Sequence, residues 1–403
     1  MGGTFTAKIF VTIPIVIYLA LLLRIRIRVM HYSWENEKWV IICGGLLAIS
    51  LFNPLNHAPI STFSLASLFC TYILCCRVFY RLLSPPQIIS GIFAGLAFIC
   101  ITQFILAICF PLLGMKSVTY LFQAAGEEWA TRRDSRSGAV GVFLHPGNLG
   151  LFLTIATAFL LGCFLNGYKK RLTFVLLVIN VLTIFLTYSR SSYVALVIMS
   201  CVILFLHHSP GSKVFSLKTV LFGVLPGVFI LLGFIFISPL GALFLSDNAA
   251  EMLQARVDHW KVALDIFSQS PVIGVGLNAH LEYISSQPLL LSNIHNEFLT
   301  TNPIHNIHLI VLCEMGIIGI VIWILFIVNS VADARRNLAA NNNMIFSLAK
   351  AGAVISFVIY GITDWAPFSQ SVFPLFIILM FYGNKYSIFV KQGQPAHLTL
   401  FGQ

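Results

Sequence analysis

Apolar runs near the length of a bilayer crossing recur from residue 9 to residue 382, with short polar connections between them. A helix needs roughly 20 such residues to cross the hydrocarbon core, whereas a closed β-barrel needs strands that alternate apolar and polar positions. These runs do not alternate, so the chain is expected to be an all-α, polytopic integral membrane protein. With 58% hydrophobic and 9% charged residues among its 403, an ordinary soluble domain is excluded. Length marks spans at residues 9–23, 39–52, 61–76, 87–113, 149–165, 172–186, 193–206, 220–237, 305–328, 345–362 and 368–382. That makes about eleven transmembrane helices, or twelve if a span near residues 11–40 is split. The first run ends in Arg24, Arg26 and Arg28 rather than in a small-residue cleavage site, and reads as a retained span.

The net charge of +10 does not form a nucleic-acid-binding stripe. Basic residues instead cluster in alternate connections: Arg77 with Arg81, Lys169 to Arg171, Lys213 with Lys218, and Arg335 with Arg336. By the positive-inside rule those connections face the cytoplasm. The other connections hold most of the acids, among them Glu127, Asp134, Asp247, Asp258, Glu282, Glu297 and Asp364, and face outward. No linker or short-period repeat divides the chain, so residues 1–403 read as a single transmembrane domain. Its longest outward elaboration is a loop at residues 239–303 with an amphipathic helix at about 249–268. The nine cysteines sit almost entirely inside apolar runs with no zinc spacing, and read as packing residues.

A few polar residues stand out against this background. Arg190 lies among Thr187, Ser189, Ser191 and Ser192 where the span ending at Leu186 closes, and no acidic residue adjoins it in sequence. It reads either as a snorkelling interfacial arginine or as a bidentate phosphate ligand. Arg256 belongs to the amphipathic helix, in which Asn248 and Glu251 form a plausible capping pair. There Leu253, Val257, Trp260, Leu264 and Phe267 repeat as one apolar stripe. His259, three residues after Arg256, shares its face. Arg256 is either salt-bridged to a nearby acid or an anion ligand, and both readings stand.

The glycine-containing turn at residues 271–276 follows a helix and lacks the Lys-Ser/Thr of a phosphate loop, which argues against nucleotide binding. It is expected to make a tight reversal that brings backbone amides to the membrane surface. His305 and Asn306 then open a new span, with Pro303 suited to a helix start. His305 and His308 fall on one helical face, but no ligand set with convincing metal spacing accompanies them. An imidazole at that place takes a proton near neutrality, which arginine cannot do, and a helix N-terminus keeps it neutral. Glu314, inside the span, is a structural partner for another polar group or part of the site.

Together these pieces resemble the O-antigen ligase and O-antigen polymerase superfamily. The matching elements are Thr187-Tyr-Ser-Arg190-Ser-Ser, Arg256 with Trp260 to Pro271, Gly274 with Gly276, and His305-Asn306 followed by Leu309, Glu314, Gly316 and Gly319. A softer match lies at residues 141–148. The resemblance implies a multi-pass enzyme of the bacterial inner membrane with its active site at the periplasmic face. It implies glycan transfer from undecaprenyl diphosphate to an acceptor hydroxyl, inverting and without a metal or other cofactor. Arg190 and Arg256 would hold the diphosphate and His305 would be the base. His308, His259, Asn306 and Glu314 are supporting candidates. The partners implied are the lipid-linked donor, the bilayer, and lipid A core or a second lipid-linked glycan as acceptor. The compact outer segment leans toward ligase, with a repeat-unit polymerase as the alternative. A transporter of an anion or lipid-linked sugar is the reading from another class, disfavoured by charges confined to one face and by the lack of an internal repeat.

Overall fold

In the computed structural model the chain is described at residues 34–83, 85–112, 138–143, 145–208, 247–287, 303–341, 343–366, 369 and 371–381. The expected spans at 9–23 and 220–237, and the loop residues Glu127, Arg132, Arg133 and Arg136, lie outside the described residues. The protein is all-helical, and among the described residues there is no strand. We number the helices α1 (Trp34–Leu51), α2 (Pro59–Leu82), α3 (Pro85–Leu112), α4 (Pro146–Leu165), α5 (Lys170–Leu186), α6 (Arg190–His208), α7 (Asp247–Gln269), α8 (His280–Ser286), α9 (Ile307–Ala339), α10 (Met344–Gly361) and α11 (Phe373–Phe381). Five of these are long and apolar enough to cross a membrane: α3, α4, α6, α9 and α10. The other expected spans within the described residues fall on α1, α2, α5 and α11.

The bundle is centred on α4 and α10, the most enclosed of these helices. α10 packs against α4, α6, α9 and α11, and α5 bridges α4 to α3. An apolar layer including Leu153, Phe159, Met199, Phe346 and Phe357 fills the centre. Asn180 shows how a polar side chain inside it is satisfied, as burial demands. Asn180 on α5 donates through Nδ2 to the Leu153 carbonyl at 2.7 Å and to Thr157 Oγ1 at 2.6 Å, and accepts from the Cys100 thiol at 3.3 Å. Cys100, Cys163 and Cys313 are buried free thiols.

At one end of the bundle a buried ion pair ties α9 to α10. Lys350 Nζ donates to Asp333 Oδ2 at 2.5 Å, with the lysine side chain 5% and the aspartate 19% exposed, while Arg336 reaches the same carboxylate at 3.6 Å from the surface. At the other end the N-termini of α4, α6 and α9 meet the C-terminus of α10. Ser191 Oγ and Thr363 Oγ1 are 2.6 Å apart, Ser189 Oγ and Tyr360 Oη 3.3 Å, and the His308 ring donates to the Val358 carbonyl at 3.1 Å. This convergence brings together at one end of the bundle connections that the charge pattern groups on one face.

Helix α9 is broken at Gly316, whose φ of 63° and ψ of −159° belong to a region open essentially to glycine alone. A break in a helix leaves carbonyls and amides without partners, and such groups are tolerated at membrane depth only when protein covers them. The turn at residues 271–276 supplies that cover. Val275 and Gly276 donate their N–H groups to the carbonyls of Cys313 and Glu314, at 3.0 and 2.9 Å. Ile317 and Ile318 donate to the carbonyls of Pro271 and Val272, at 2.8 and 3.3 Å. The turn amides therefore engage α9, not the membrane surface. From the other side Asn53 Nδ2 donates to the Gly274 carbonyl at 2.7 Å, and Ser50 Oγ accepts from the Leu277 N–H at 3.1 Å.

The break also divides α9 by environment. Every large exposed apolar residue on it lies after Gly316, namely Ile317, Ile318, Val321, Ile324, Leu325 and Val328. Before it, Ile307, Ile310, Val311 and Cys313 are buried. Lipid-facing surface thus begins at Ile317 rather than at His305. Residues 317–339 are alone long enough to cross a bilayer at about 1.5 Å per residue.

Two stability predictions follow from these contacts. Lys350→Met leaves a mostly buried carboxylate with only the exposed Arg336 near it and is expected to cost about 3 kcal/mol, whereas the double substitution with Asp333→Leu recovers much of that loss. Thermal unfolding of the three proteins in one detergent measures the difference. Gly316→Ala places a Cβ 2.3 Å from the Val272 carbonyl oxygen in a conformation costing about 1–3 kcal/mol by itself, so it should lower the unfolding midpoint. Gly274→Ala meets the Glu314 backbone at 2.2 Å and should behave alike.

Candidate functional site

The site is assembled where α7, α8 and the docked turn close over the start of α9. A small second core of Val262, Ala263, Ile266, Val275, Tyr283, Ile284, Ile304, Ile310 and Cys313 holds them together. Tyr283 Oη donates to Gln269 Oε1 at 2.6 Å and fastens α8 to the end of α7. α7 spans slightly more than the expected 249–268 and starts at Asp247, so Asn248 lies inside it rather than at its cap. The apolar stripe is also displaced from the expected one. Leu264 is 50% exposed, and the buried line is His259, Val262, Ala263 and Ile266. An apolar count misses that line because a histidine occupies one of its positions.

His259 is 2% exposed and meets His305. The two rings stack edge-on with centroids 4.9 Å apart. The His305 backbone N–H donates to His259 Nδ1 at 3.2 Å, and the two Nδ1 atoms are 3.4 Å apart. Burial first, then the neighbouring His305 and His280, pull the His259 imidazole down to about 4. The Pro303 backbone and Asp258 oppose this with smaller effects. His259 is therefore neutral near pH 7.

His305 lies just outside α9. The N-cap is Asn306, whose Oδ1 accepts from the N–H groups of His308 and Leu309 at 3.0 and 3.1 Å, and Pro303 is not part of the helix. Asn306 thus sets where α9 starts and leaves His305 at a bend in the chain just before its mouth. His308 does not share a face with His305. Its Nδ1 accepts from Trp323 Nε1–H at 3.1 Å across the break within α9, and its Nε2–H serves the Val358 carbonyl on α10, so both nitrogens are engaged in packing. Glu314 is buried and accepts from His280 Nδ1–H at 2.6 Å, which is the structural-partner reading of that acid. His280 was not singled out by the sequence, since 34 residues separate it from Glu314 and no periodicity relates them.

Arg256 is half-buried one helical turn before His259, and among the described residues no carboxylate is within ion-pair distance of it. Asp258, the obvious candidate, faces Lys261 at 3.2 Å and Gln254 at 3.1 Å. The salt-bridge reading of Arg256 is thus not met there. Arg190 opens α6 instead of ending the preceding span, because α5 stops at Leu186 and Tyr188 turns the chain with a φ of 51°. Arg190 has interactions of its own within the fold. Behind it, Ser192 Oγ donates to Ser189 Oγ at 2.8 Å, and Tyr360 Oη donates to Asp364 Oδ2 at 3.2 Å. Arg190, between Ser189 and Ser191, consequently flanks the last turn of α10. His145, in the softer motif, caps α4 by accepting the Gly147 N–H at 3.1 Å, with Pro146 next to it.

The lowered proton affinity of His259 has a consequence for stability. Between about pH 6.5 and 4 the unfolded chain protonates this histidine and the folded one does not. Folding stability therefore falls as pH drops through that window. Thermal unfolding from pH 7 to pH 4 should show a shallower loss for His259→Phe than for the wild type.

Residues 172–324 match the family model described as O-Antigen ligase. No curated protein matches the chain. The matched stretch contains Arg190, Arg256, His259, His280, His305 and Glu314, so the whole histidine cluster and both arginines fall inside it. Across residues 172–324 this multi-pass membrane protein is similar to the O-antigen ligase superfamily, a match that points to a glycan-transferring enzyme.

Proposed function

We propose that the protein is an inner-membrane glycosyltransferase that moves a glycan from undecaprenyl diphosphate to an acceptor sugar hydroxyl at the periplasmic face, acting as an O-antigen ligase. The observation that carries this reading is the placement of His305. It stands at a bend before the mouth of α9, stacked on a neutral histidine one turn from Arg256.

In this reading His305 accepts the proton of the acceptor hydroxyl as its oxygen attacks the anomeric carbon. The bond from that carbon to the diphosphate breaks, and the electron pair leaves with the undecaprenyl diphosphate. Arg190 and Arg256 take up the charge that grows on the leaving group, where fixed donors act most strongly. The reading assigns no step to a metal. A single displacement inverts the anomeric centre. The N-termini of α4, α6 and α9, each with about half a positive charge, favour an anion at the same face. Asn306 contributes by placing the start of α9, and Glu314 by holding His280. His308 is left with the packing of α9 on α10.

Purified protein, an undecaprenyl-diphosphate glycan and lipid A core provide the test. His305→Ala is expected to lose about 10²–10⁴-fold in transfer rate. Arg190→Ala and Arg256→Ala should each lose about 10²–10³-fold. Near wild-type transfer by both His305→Ala and Arg256→Ala, at normal expression, would sink the assignment. In the host, deletion should strip all polymer from the lipopolysaccharide core, and a core bearing one repeat would identify a polymerase instead.

A further inference from the structure

We propose that His259 is a positioning residue that fixes the tautomer of His305 and so makes Nε2 the basic nitrogen. This deepens the reading of His305 as the base and rests on it. A backbone N–H can only donate, so the His305 amide 3.2 Å from His259 Nδ1 requires that nitrogen to carry a lone pair. The proton of neutral His259 is then on Nε2. The same Nδ1 faces His305 Nδ1 at 3.4 Å, and two lone pairs cannot face each other favourably. Of the two nitrogens only that of His305 can hold a proton there. With Nδ1 protonated, the lone pair of neutral His305 is on Nε2, which turns away from His259 toward the acceptor.

The groups around His259 agree with an acceptor that is never itself charged during turnover. His305 and His280 face it from outside α7, Asp258 lies on its own helix, and Glu314 stands behind His280. Its low proton affinity means that a proton gained by His305 is not passed on to it. When His305 takes the hydroxyl proton at Nε2, its Nδ1–H remains directed at His259, which stabilises the imidazolium without adding a charge. The arrangement performs the orienting half of a catalytic triad with a neutral partner.

The test compares His259→Asn, whose Oδ1 reproduces the Nδ1 acceptor, with His259→Gln and His259→Phe, which do not place an acceptor there. Turnover of the undecaprenyl-diphosphate donor is followed from pH 5 to pH 9 in full-length protein. The Gln and Phe variants are expected to lose about 10–100-fold in kcat with little change in donor KM. The acid limb of their kcat profile should move to lower pH, because the His305 imidazolium has lost its acceptor. The Asn variant should stay within about tenfold of wild type with the acid limb unmoved. Equal losses in Asn and Gln with unshifted limbs, or wild-type turnover in Gln, would overturn the proposal. Should the Phe variant not fold, the Asn and Gln pair decides. Activity in His305→Ala is the separate result that removes the base assignment itself.

Discussion

The structure depends on a helix that is broken and then mended by another part of the chain. Gly316 interrupts α9, and the turn at residues 271–276 returns two hydrogen bonds to the carbonyls above the break and takes two from the amides below it. In water such a break would be inexpensive, because solvent would satisfy all four groups. In a bilayer each unsatisfied group costs several kcal/mol, so the turn and the break are stable only together. Once docked, the turn fixes where α7 ends and where α8 begins. That places His259 against His305 and His280 against Glu314. The histidine cluster is a consequence of the repair.

This explains how a segment outside the long apolar helices can hold its side chains in fixed geometry against a membrane helix. The segment of α9 above Gly316 is enclosed by protein, and the longer segment below it carries the lipid-facing surface. The upper segment behaves as part of a small soluble-like core with α7 and α8. The lower one anchors that core to the bundle, which the Asp333–Lys350 pair fastens at the far end. A rigid joint between the two is what hydrogen bonding across the break provides.

Much of this was legible in the sequence, for a physical reason. Bilayer spans are long and repetitive, so the apolar runs mark α3, α4, α6, α9 and α10 with little ambiguity. The amphipathic helix was also visible, to within two residues at its start. Its buried face was not, because the face is defined by His259, whose burial reflects a polar partner far away in sequence. The same limit hid the His280–Glu314 pair. Position within helices was the other failure: Arg190 begins α6, and Asn306 rather than His305 governs the start of α9. A cap is set by one hydrogen bond, and hydropathy carries no trace of it.

The electrostatics of the outer face then has a simple logic. Helices α4, α6 and α9 present their N-termini there and α5 and α10 their C-termini, so the backbone dipoles partly offset and the side chains set the field. Arg190 and Arg256 make that field positive, and in the proposed function the lipid diphosphate occupies it. A base working in such a field faces a difficulty, since positive surroundings resist the imidazolium it must become. A carboxylate partner would relieve this, but it would also compete with the anion for the arginines. A neutral histidine relieves it in part and competes for nothing. Glu314 is held one step back from His305, paired with His280.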